Sequence, residues 1–274
     1  MGARQPKSSQ VVLITGAGAG LGESMARRFH QAGAHIIACD LHGDRVEGLA
    51  QTLGSRVSPH AMDVTQKDDW ARVVSDLKDR HGHVDVLINN AGVAAAGQLD
   101  ETPIEDWQWV IDIDLMGVVM GCQSVLGLMR AQRRGHIINV ASVAGLASAP
   151  EINAYGTAKA AVIAMSEMLR AEVHEDGIEV SALCPAFVKT RLTETMRARD
   201  AHYEKRVNRW MERSGVSAED VAEVVYQATL KPKFMLLTHP KTRWLWRLKR
   251  FFPELYFKLV LRGARQAKRK KAKT

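Results

Sequence analysis

Short apolar runs rich in β-branched residues alternate with longer mixed stretches through the first half of the chain. The run Val11-Val12-Leu13-Ile14 contains no polar position, as a strand buried on both faces requires. After it, Glu23 to Gln31 is compatible with a helix, and Ala34 to Cys39 forms a second strand. Val57 to Ala61 reads as a third strand, Gln66 to Arg80 as a helix with a polar face, and Val84 to Ile88 as a fourth strand. A helix from about Pro103 to Gln132 then precedes a strand over His136 to Val140. This alternation predicts an α/β fold: a Rossmann-like, doubly wound parallel β-sheet with helices on both faces, in a single domain. Ligands of such sheets bind at the carboxyl ends of the strands. The chemistry should therefore lie where the apolar runs stop.

The first strand stops at Thr15-Gly16-Ala17-Gly18-Ala19-Gly20-Leu21-Gly22. Strand, glycine-rich turn and helix in that order make a dinucleotide site, because glycines permit close backbone approach and a helix N-terminus faces the pyrophosphate. The spacing is Gly-x-x-x-Gly-x-Gly and not the general Gly-x-Gly-x-x-Gly fingerprint; the alternative is a flexible surface loop. The second strand ends at Asp40, eighteen residues beyond Gly22. A carboxylate there accepts hydrogen bonds from both adenosine ribose hydroxyls and repels a 2′-phosphate. The glycine turn holds no basic residue, and Arg45, the nearest downstream candidate, falls in the next helix. NAD is thus favoured over NADP, against the alternative that Asp40 is a solvated turn residue. Asp63-Val64, Asn89-Asn90-Ala91-Gly92 and Ala141-Ser142 close the later strands.

Thirteen residues after Ser142 comes Tyr155-Gly-Thr-Ala-Lys159. Positions i and i+4 share a helix face, so the Tyr155 phenol and the Lys159 ammonium emerge side by side. A free tyrosine titrates near ~10, and a cation held close favours phenolate by about 1.4 kcal/mol for every tenfold gain in acidity. Tyr155 is then able to act as acid or base on an alcohol or carbonyl, with the Ser142 hydroxyl orienting the same oxygen. Taken alone, a Tyr-x-x-x-Lys pair is also what chance places on a solvated helix face.

Together these segments resemble the short-chain dehydrogenase/reductase family over roughly residues 8 to 238. The motifs that carry the resemblance are Thr15-Gly-x-x-x-Gly-x-Gly22, Asn89-Asn-Ala-Gly92, Ser142, Tyr155-x-x-x-Lys159 and Pro185 followed by Thr190. The resemblance implies Tyr155 as the catalytic acid/base, Lys159 as holder of the nicotinamide ribose and modulator of Tyr155, and Ser142 as the ligand of the reacting oxygen. It implies cofactor contacts at Gly16, Gly20, Leu21, Gly22, Asp40, Asp63, Val64, Asn90, Gly92, Pro185, Val188 and Thr190, besides Tyr155 and Lys159. Two positions depart from the family pattern. Ile113-Asp114-Leu115 stands where an asparagine is usual, so Asp114 adds a charge to the proton relay and its part there stays open. Pro185-Ala186 replaces the common Pro-Gly, and alanine avoids positive φ.

Composition bounds the rest. A chain of 274 residues is ordinary for one α/β domain and long enough to bury a sizeable core. Cys39, Cys122 and Cys184 lie in apolar surroundings without metal or redox spacing, and the ten histidines show no metal-ligand grouping, so no metal is expected. Met1 to Gln10 lacks the pattern of a signal peptide, and no run approaches the roughly 18 apolar residues of a spanning helix. The expected location is cytoplasmic, with a peripheral place at the inner face of a membrane as an addition raised by the tail.

That addition rests on where the charge sits. From Lys241 onward there are thirteen Lys/Arg and one acid, Glu254, a net +12; the whole chain carries +8, which leaves −4 for residues 1–240. The expected organisation is a catalytic domain over 1–240, with a substrate lid at about 190–216, and a basic amphipathic extension over 241–274 with a disordered end. Trp244, Leu245, Leu248, Phe251 and Phe252 fall on one helical face, with Arg243, Arg247 and Arg250 largely opposite, and Pro253 interrupts the helix. Three readings compete: a face packed on the domain or a sister subunit, an interfacial helix on an anionic bilayer, and a phosphate-binding surface for nucleic acid, for which no recognised module is present. In the lid, Met196, Tyr203, Val207, Trp210 and Met211 suit an apolar pocket or plain helix packing. The sequence thus predicts an NAD(H)-dependent oxidoreductase interconverting a secondary alcohol and a ketone, hydrophobic or lipid-like, in a homodimer or homotetramer. The rival is a dinucleotide-binding sensor that acts through its tail.

Overall fold

The computed structural model describes residues 10–188, 195–198, 207, 209, 211–212 and 214–271. Seven parallel strands form the central sheet: β1 (Val11–Thr15), β2 (His35–Asp40), β3 (Val57–Ala61), β4 (Val86–Asn89), β6 (Gly135–Val140), β7 (Ile178–Cys184) and β9 (Met235–Leu237). Their order is β3-β2-β1-β4-β6-β7-β9. Every pair is parallel and in plain register, such as Ile14 with Ala38 and Ile88 with Ile138. The order reverses between β1 and β4, which opens the crevice in which such sheets bind ligands. A two-stranded ladder joins β5 (Ala95–Ala96), in the segment after β4, to β8 (Arg197–Ala198); no periodic signal in the sequence marks either strand.

Apolar side chains on the two faces of the strands build two cores. On one face, Ile14, Ile36 and Ile88 meet Met25 and Phe29 of α1 (Gly20–Gln31), Val46 of α2 (Gly43–Leu53) and Val225 of α8 (Ala218–Leu230). On the other, Leu13, Ile37 and Ile137 meet Trp70 and Leu77 of α3 (Lys67–His81), Val125 and Met129 of α5 (Gly117–Gln132), and Val162 of α7 (Asn153–Glu172). The expected strands and helices are present, with ends displaced by at most three residues and the helix from about Pro103 to Gln132 divided in two. Ser217 caps α8 as expected, in a reciprocal box with Asp220.

The long central helix departs from expectation in two ways. It is interrupted by a π-helical segment, Asp112–Met116, between α4 (Ile104–Ile111) and α5. It is also long and apolar enough to cross a bilayer by length and composition alone, although no continuous apolar run in the sequence announces it. Val110, Val118, Cys122, Val125 and Met129 are buried within the protein core. Beyond the sheet, α9 (Pro240–Phe251) and α10 (Pro253–Lys271) form the C-terminal extension. Pro253 divides the two helices, as its missing N–H and fixed φ require.

Candidate active site

The carboxyl end of β1 runs into a turn whose backbone only glycine tolerates. Gly16 sits at φ +64°, and a Cβ on Gly22 would lie 2.0 Å from the Gly16 carbonyl oxygen and 2.6 Å from Asn90 Nδ2. Asn90, at the end of β4 on the other side of the crevice, donates through Nδ2 to the carbonyls of Thr15 (2.9 Å) and Gly16 (3.1 Å). Thr15 Oγ1 accepts from the backbone N–H groups of Asn90 and Ala91, both at 3.0 Å. The turn is thereby braced before any ligand arrives. Helix α1 begins without a side-chain cap at Ala19, so its first N–H groups are available to an anion. Asp40 Oδ2 accepts from Gly18 N–H and Oδ1 from His42 N–H, each at 3.0 Å. The carboxylate therefore shapes the turn as well as facing the crevice.

A cleft of roughly 660 Å³ follows these strand ends. Gly16, Gly20, Leu21, Asp40, Asp63, Val64, Asn90, Gly92, Pro185 and Val188 line it, together with Ser142, Tyr155, Lys159 and Asp114. Gly22 lies behind the turn, and Thr190, Tyr203 and Trp210 fall outside the described residues. Met196, Val207 and Met211 line the apolar end of the cleft, with Val93, Ala147, Ile152 and Phe187. Arg45 is in α2 as expected, yet it also lines the cleft beside Asp40. The bound group that fits this shape is a dinucleotide: an uncapped helix start for a pyrophosphate, a glycine turn in contact with Asn90, and a carboxylate at the ribose end.

At the centre of the cleft, four side chains from three elements converge. Ser142 caps α6 (Val143–Ala147) by accepting from the Ala144 N–H at 3.1 Å, and it lines the same cleft as Tyr155. Tyr155 and Lys159 lie one turn apart on α7, with Lys159 Nζ 5.7 Å from the centre of the phenol ring. Lys159 is buried and donates to the Val140 carbonyl at 3.0 Å. Asp114, wholly buried in the π-helical segment, places Oδ2 3.1 Å from Lys159 Nζ and accepts the Val93 N–H on Oδ1 at 2.7 Å. One oxygen accepts the backbone N–H and the other is ion-paired with the ammonium. A carboxylate offers both an acceptor and a counter-charge; an amide offers the acceptor alone. That is the physical reason an aspartate suits this position.

The charges interact strongly. Burial raises the Asp114 carboxyl above its ordinary range, against the pull of Lys159 and of the Val93 N–H. Burial alone would lower the Lys159 ammonium, but Asp114 and Tyr155 more than offset it and hold it above its ordinary value. For Tyr155, burial pushes the phenol up; Lys159 and Ser142 pull down, and Asp114 adds to the rise. The net direction is upward. Lysine acts on the tyrosine in the expected sense, but the neighbouring carboxylate offsets much of its charge.

Two residues of the cleft come from far along the chain. Leu245 of α9 and Tyr256 of α10 line it. The Tyr256 hydroxyl donates to the Ala147 carbonyl, and Lys249 Nζ donates to the Leu146 carbonyl (2.8 Å) and to Ser148 Oγ (2.6 Å). The last carbonyls of α6, which have no partner within the helix, are thus satisfied from the tail. Tyr256, Lys249 and Ala147 carry no signal in the sequence, because only the fold brings residues 146–148 under residues 245–256.

With this geometry in view, the similarity to known proteins is decisive. Residues 10–201 match the model of the short chain dehydrogenase family. The chain belongs to that family. It is an NAD(P)-dependent dehydrogenase/reductase acting on CH–OH groups. A 3-oxoacyl-[acyl-carrier-protein] reductase of Thermotoga maritima is 37% identical over 190 residues, 68% of this chain and 77% of that protein. A short-chain dehydrogenase/reductase from Burkholderia phymatum, solved in complex with NAD, superposes with a TM-score of 0.86 at 30% identity, covering 92% of this chain and 96% of that one. The closed form of a serine dehydrogenase complexed with NADP+ gives a TM-score of 0.79 at 30% identity, covering 85% of this chain and 96% of the other. The family's fold therefore accommodates either nicotinamide dinucleotide.

Proposed function

We propose that this protein interconverts a hydrophobic, lipid-like secondary alcohol and its ketone, with NAD(H) preferred over NADP(H), and that Ser142, Tyr155, Lys159 and Asp114 carry the proton chemistry. The observation that carries this reading is the convergence of Ser142, Tyr155, Lys159 and Asp114 in one cleft, whose lining includes both the dinucleotide turn and a set of apolar side chains. A nicotinamide cofactor, when bound, would supply or accept the hydride. Tyr155 supplies the proton to a carbonyl oxygen in reduction and takes it from the hydroxyl in oxidation. Ser142 holds that same oxygen, and Lys159 faces the phenol and is positioned to hold a ribose hydroxyl. Asp114 fixes Lys159. Gly16, Gly20, Leu21, Gly22, Asp63, Val64, Asn90, Gly92, Pro185, Val188 and Thr190 complete the cofactor contacts.

Preference for NAD rests on Asp40, whose carboxylate disfavours a 2′-phosphate. Arg45 at the same end of the cleft is the opposing charge. The hydrophobic substrate rests on the residues at the far end, which include Val93, Ile152, Phe187, Met196, Met211 and Leu245. The rival is a sensor without turnover; Asp114, ion-paired with Lys159, suits a working proton site. The family resemblance supports a homodimer or homotetramer working in the cytoplasm.

The test is a fluorescence titration of NADH and NADPH in parallel, followed by turnover of medium- and long-chain ketones. Tight NADH binding with oxidation by one ketone class is expected. Tyr155→Phe should bind NADH as before and lose turnover by about a thousand-fold. Tighter NADPH binding would overturn the cofactor assignment, and full activity of Tyr155→Phe would overturn the mechanism.

A further inference from the structure

The two tail helices have an inner and an outer side, and both are rich in large apolar residues. The inner side is accounted for. Thr242 and Tyr256 are buried, Leu245 lines the cleft, and Trp246 packs against the core beneath the sheet. The outer side is not covered by the body. Trp244, Phe251, Phe252, Leu255 and Phe257 are each more than half exposed, and they cluster around the α9–α10 junction. Arg243, Arg247, Arg250, Lys258, Arg262 and Arg265 are exposed on the same two helices.

Clustered exposed aromatic and aliphatic side chains of this size exceed what a solvated helix face carries without a partner. Three occupants are chemically distinct. A second copy docked symmetrically would set this face against itself, bringing two surfaces of net +12 together. A nucleic acid would use the cations and leave the aliphatic and aromatic groups without a role. An anionic bilayer uses both, since apolar side chains enter the acyl boundary while Lys and Arg remain among the headgroups. The charge separation between the tail, at +12, and the remaining chain, at −4, also orients the molecule tail-first toward such a surface.

We propose that α9 and α10 form a membrane-docking surface for anionic lipid bilayers, with the outer faces of the helices that wall the cleft lying in the headgroup layer. The cleft and the bilayer are then on opposite sides of one layer of helix, about 10 Å thick. A lipid-like substrate has the shortest route from one to the other. The docking surface itself does not depend on the identity of the substrate.

The test uses the full chain, without substrate or cofactor, sedimented with vesicles of phosphatidylcholine alone and with vesicles that also carry phosphatidylglycerol. The protein is expected to sediment with the anionic vesicles, less with the neutral ones, and less again at high salt. The triple variant Trp244→Ser, Phe251→Ser, Phe252→Ser should lose anionic-vesicle binding by about tenfold or more. It should keep wild-type turnover of a water-soluble ketone. Arg243→Glu with Arg247→Glu should abolish the preference for the anionic vesicles. Failure of the wild type to sediment would overturn the proposal, as would a triple variant that binds like wild type. A triple variant that changes oligomeric mass in light scattering, with no vesicle binding in either protein, would assign the face to a second copy. Absence of turnover on every ketone would overturn the proposed reaction and leave the sedimentation result standing.

Discussion

Helix α6 has a lysine at each end, and the two are held in opposite ways. Lys159, at the Ser142 end, donates to the Val140 carbonyl and is paired with the carboxylate of Asp114. Lys249, at the Ala147 end, donates to the Leu146 carbonyl and to Ser148 Oγ, neither of which carries a charge. Both ammonium groups lose water, yet Lys159 titrates above its ordinary value and Lys249, by burial, below it. Loss of hydration disfavours the charged form in each case; a buried counter-ion reverses the sign, and carbonyl dipoles alone do not. The inner lysine is built to stay charged beside a tyrosine. The outer one is a clasp between tail and body.

The largest effect should come from removing the inner cation. Lys159→Met leaves Asp114 buried with the Val93 N–H as its remaining hydrogen bond, which should destabilise the fold by about 3–5 kcal/mol. Turnover should fall by about a hundred-fold or more, because Tyr155 loses the charge that favours phenolate. Denaturant titration and steady-state kinetics check the two parts.

Asp114→Asn cuts less deeply and in a more informative direction. The amide keeps an acceptor for the Val93 N–H but leaves the buried Lys159 without its counter-charge, so some stability is lost. The negative charge that raises Tyr155 is lost with it. The groups facing the phenol are Lys159, Asp114, Ser142 and Cys184, and only Asp114 is changed. A general-base limb in alcohol oxidation rises as pH climbs through the Tyr155 pKa, so the pH–rate profile should move in the acid direction by about 1 on the pH scale. An unmoved limb would mean that Asp114 shapes the site without tuning it.

The smallest effect belongs to the outer lysine. Lys249→Met should cost about 1 kcal/mol and raise KM for a bulky ketone several-fold with little change in kcat, since the clasp wall moves while the proton chemistry does not. The two lysine variants should also differ in the sign of their pH dependence. A lysine with a lowered folded pKa disfavours the fold at neutral pH, and that penalty is relieved as pH rises toward the free-lysine value near ~10.4; a raised one contributes stability that is lost as pH rises above that value. The stability gap between wild type and Lys249→Met should therefore move in favour of wild type on the alkaline approach to ~10.4. The gap to Lys159→Met should shrink above it. Equal slopes would remove the distinction between the two ends of the helix.

Much of this arrangement is legible in the chain itself. Apolar runs closed by Thr15, Asp40, Asp63, Asn90 and Ser142 state a parallel sheet and its ligand edge together, because strands buried on both faces tolerate polar residues only where they end. Tyr155 and Lys159 are legible because i and i+4 is a local relation. Other features are not local. Asp114 and Lys159 are 45 positions apart in the chain, and their pairing depends on how the π-helical segment sits against α7. The contact of Tyr256 with Ala147 depends on a helix that returns across the sheet end after more than a hundred residues. Equally, the apolar face of the tail reads as one stripe, whereas packing divides it: Leu245 turns into the cleft and Trp244 and Phe251 remain outside.

The sequence by itself determined which backbone could form and where polar groups could stand on it, since both follow from side-chain periodicity and from glycine at positions that exclude a Cβ. Only the tertiary structure decided which charges neutralise one another and which tail residues wall the cleft. Those are Coulombic and packing relations between elements distant in the chain, and they take effect through the burial that folding creates.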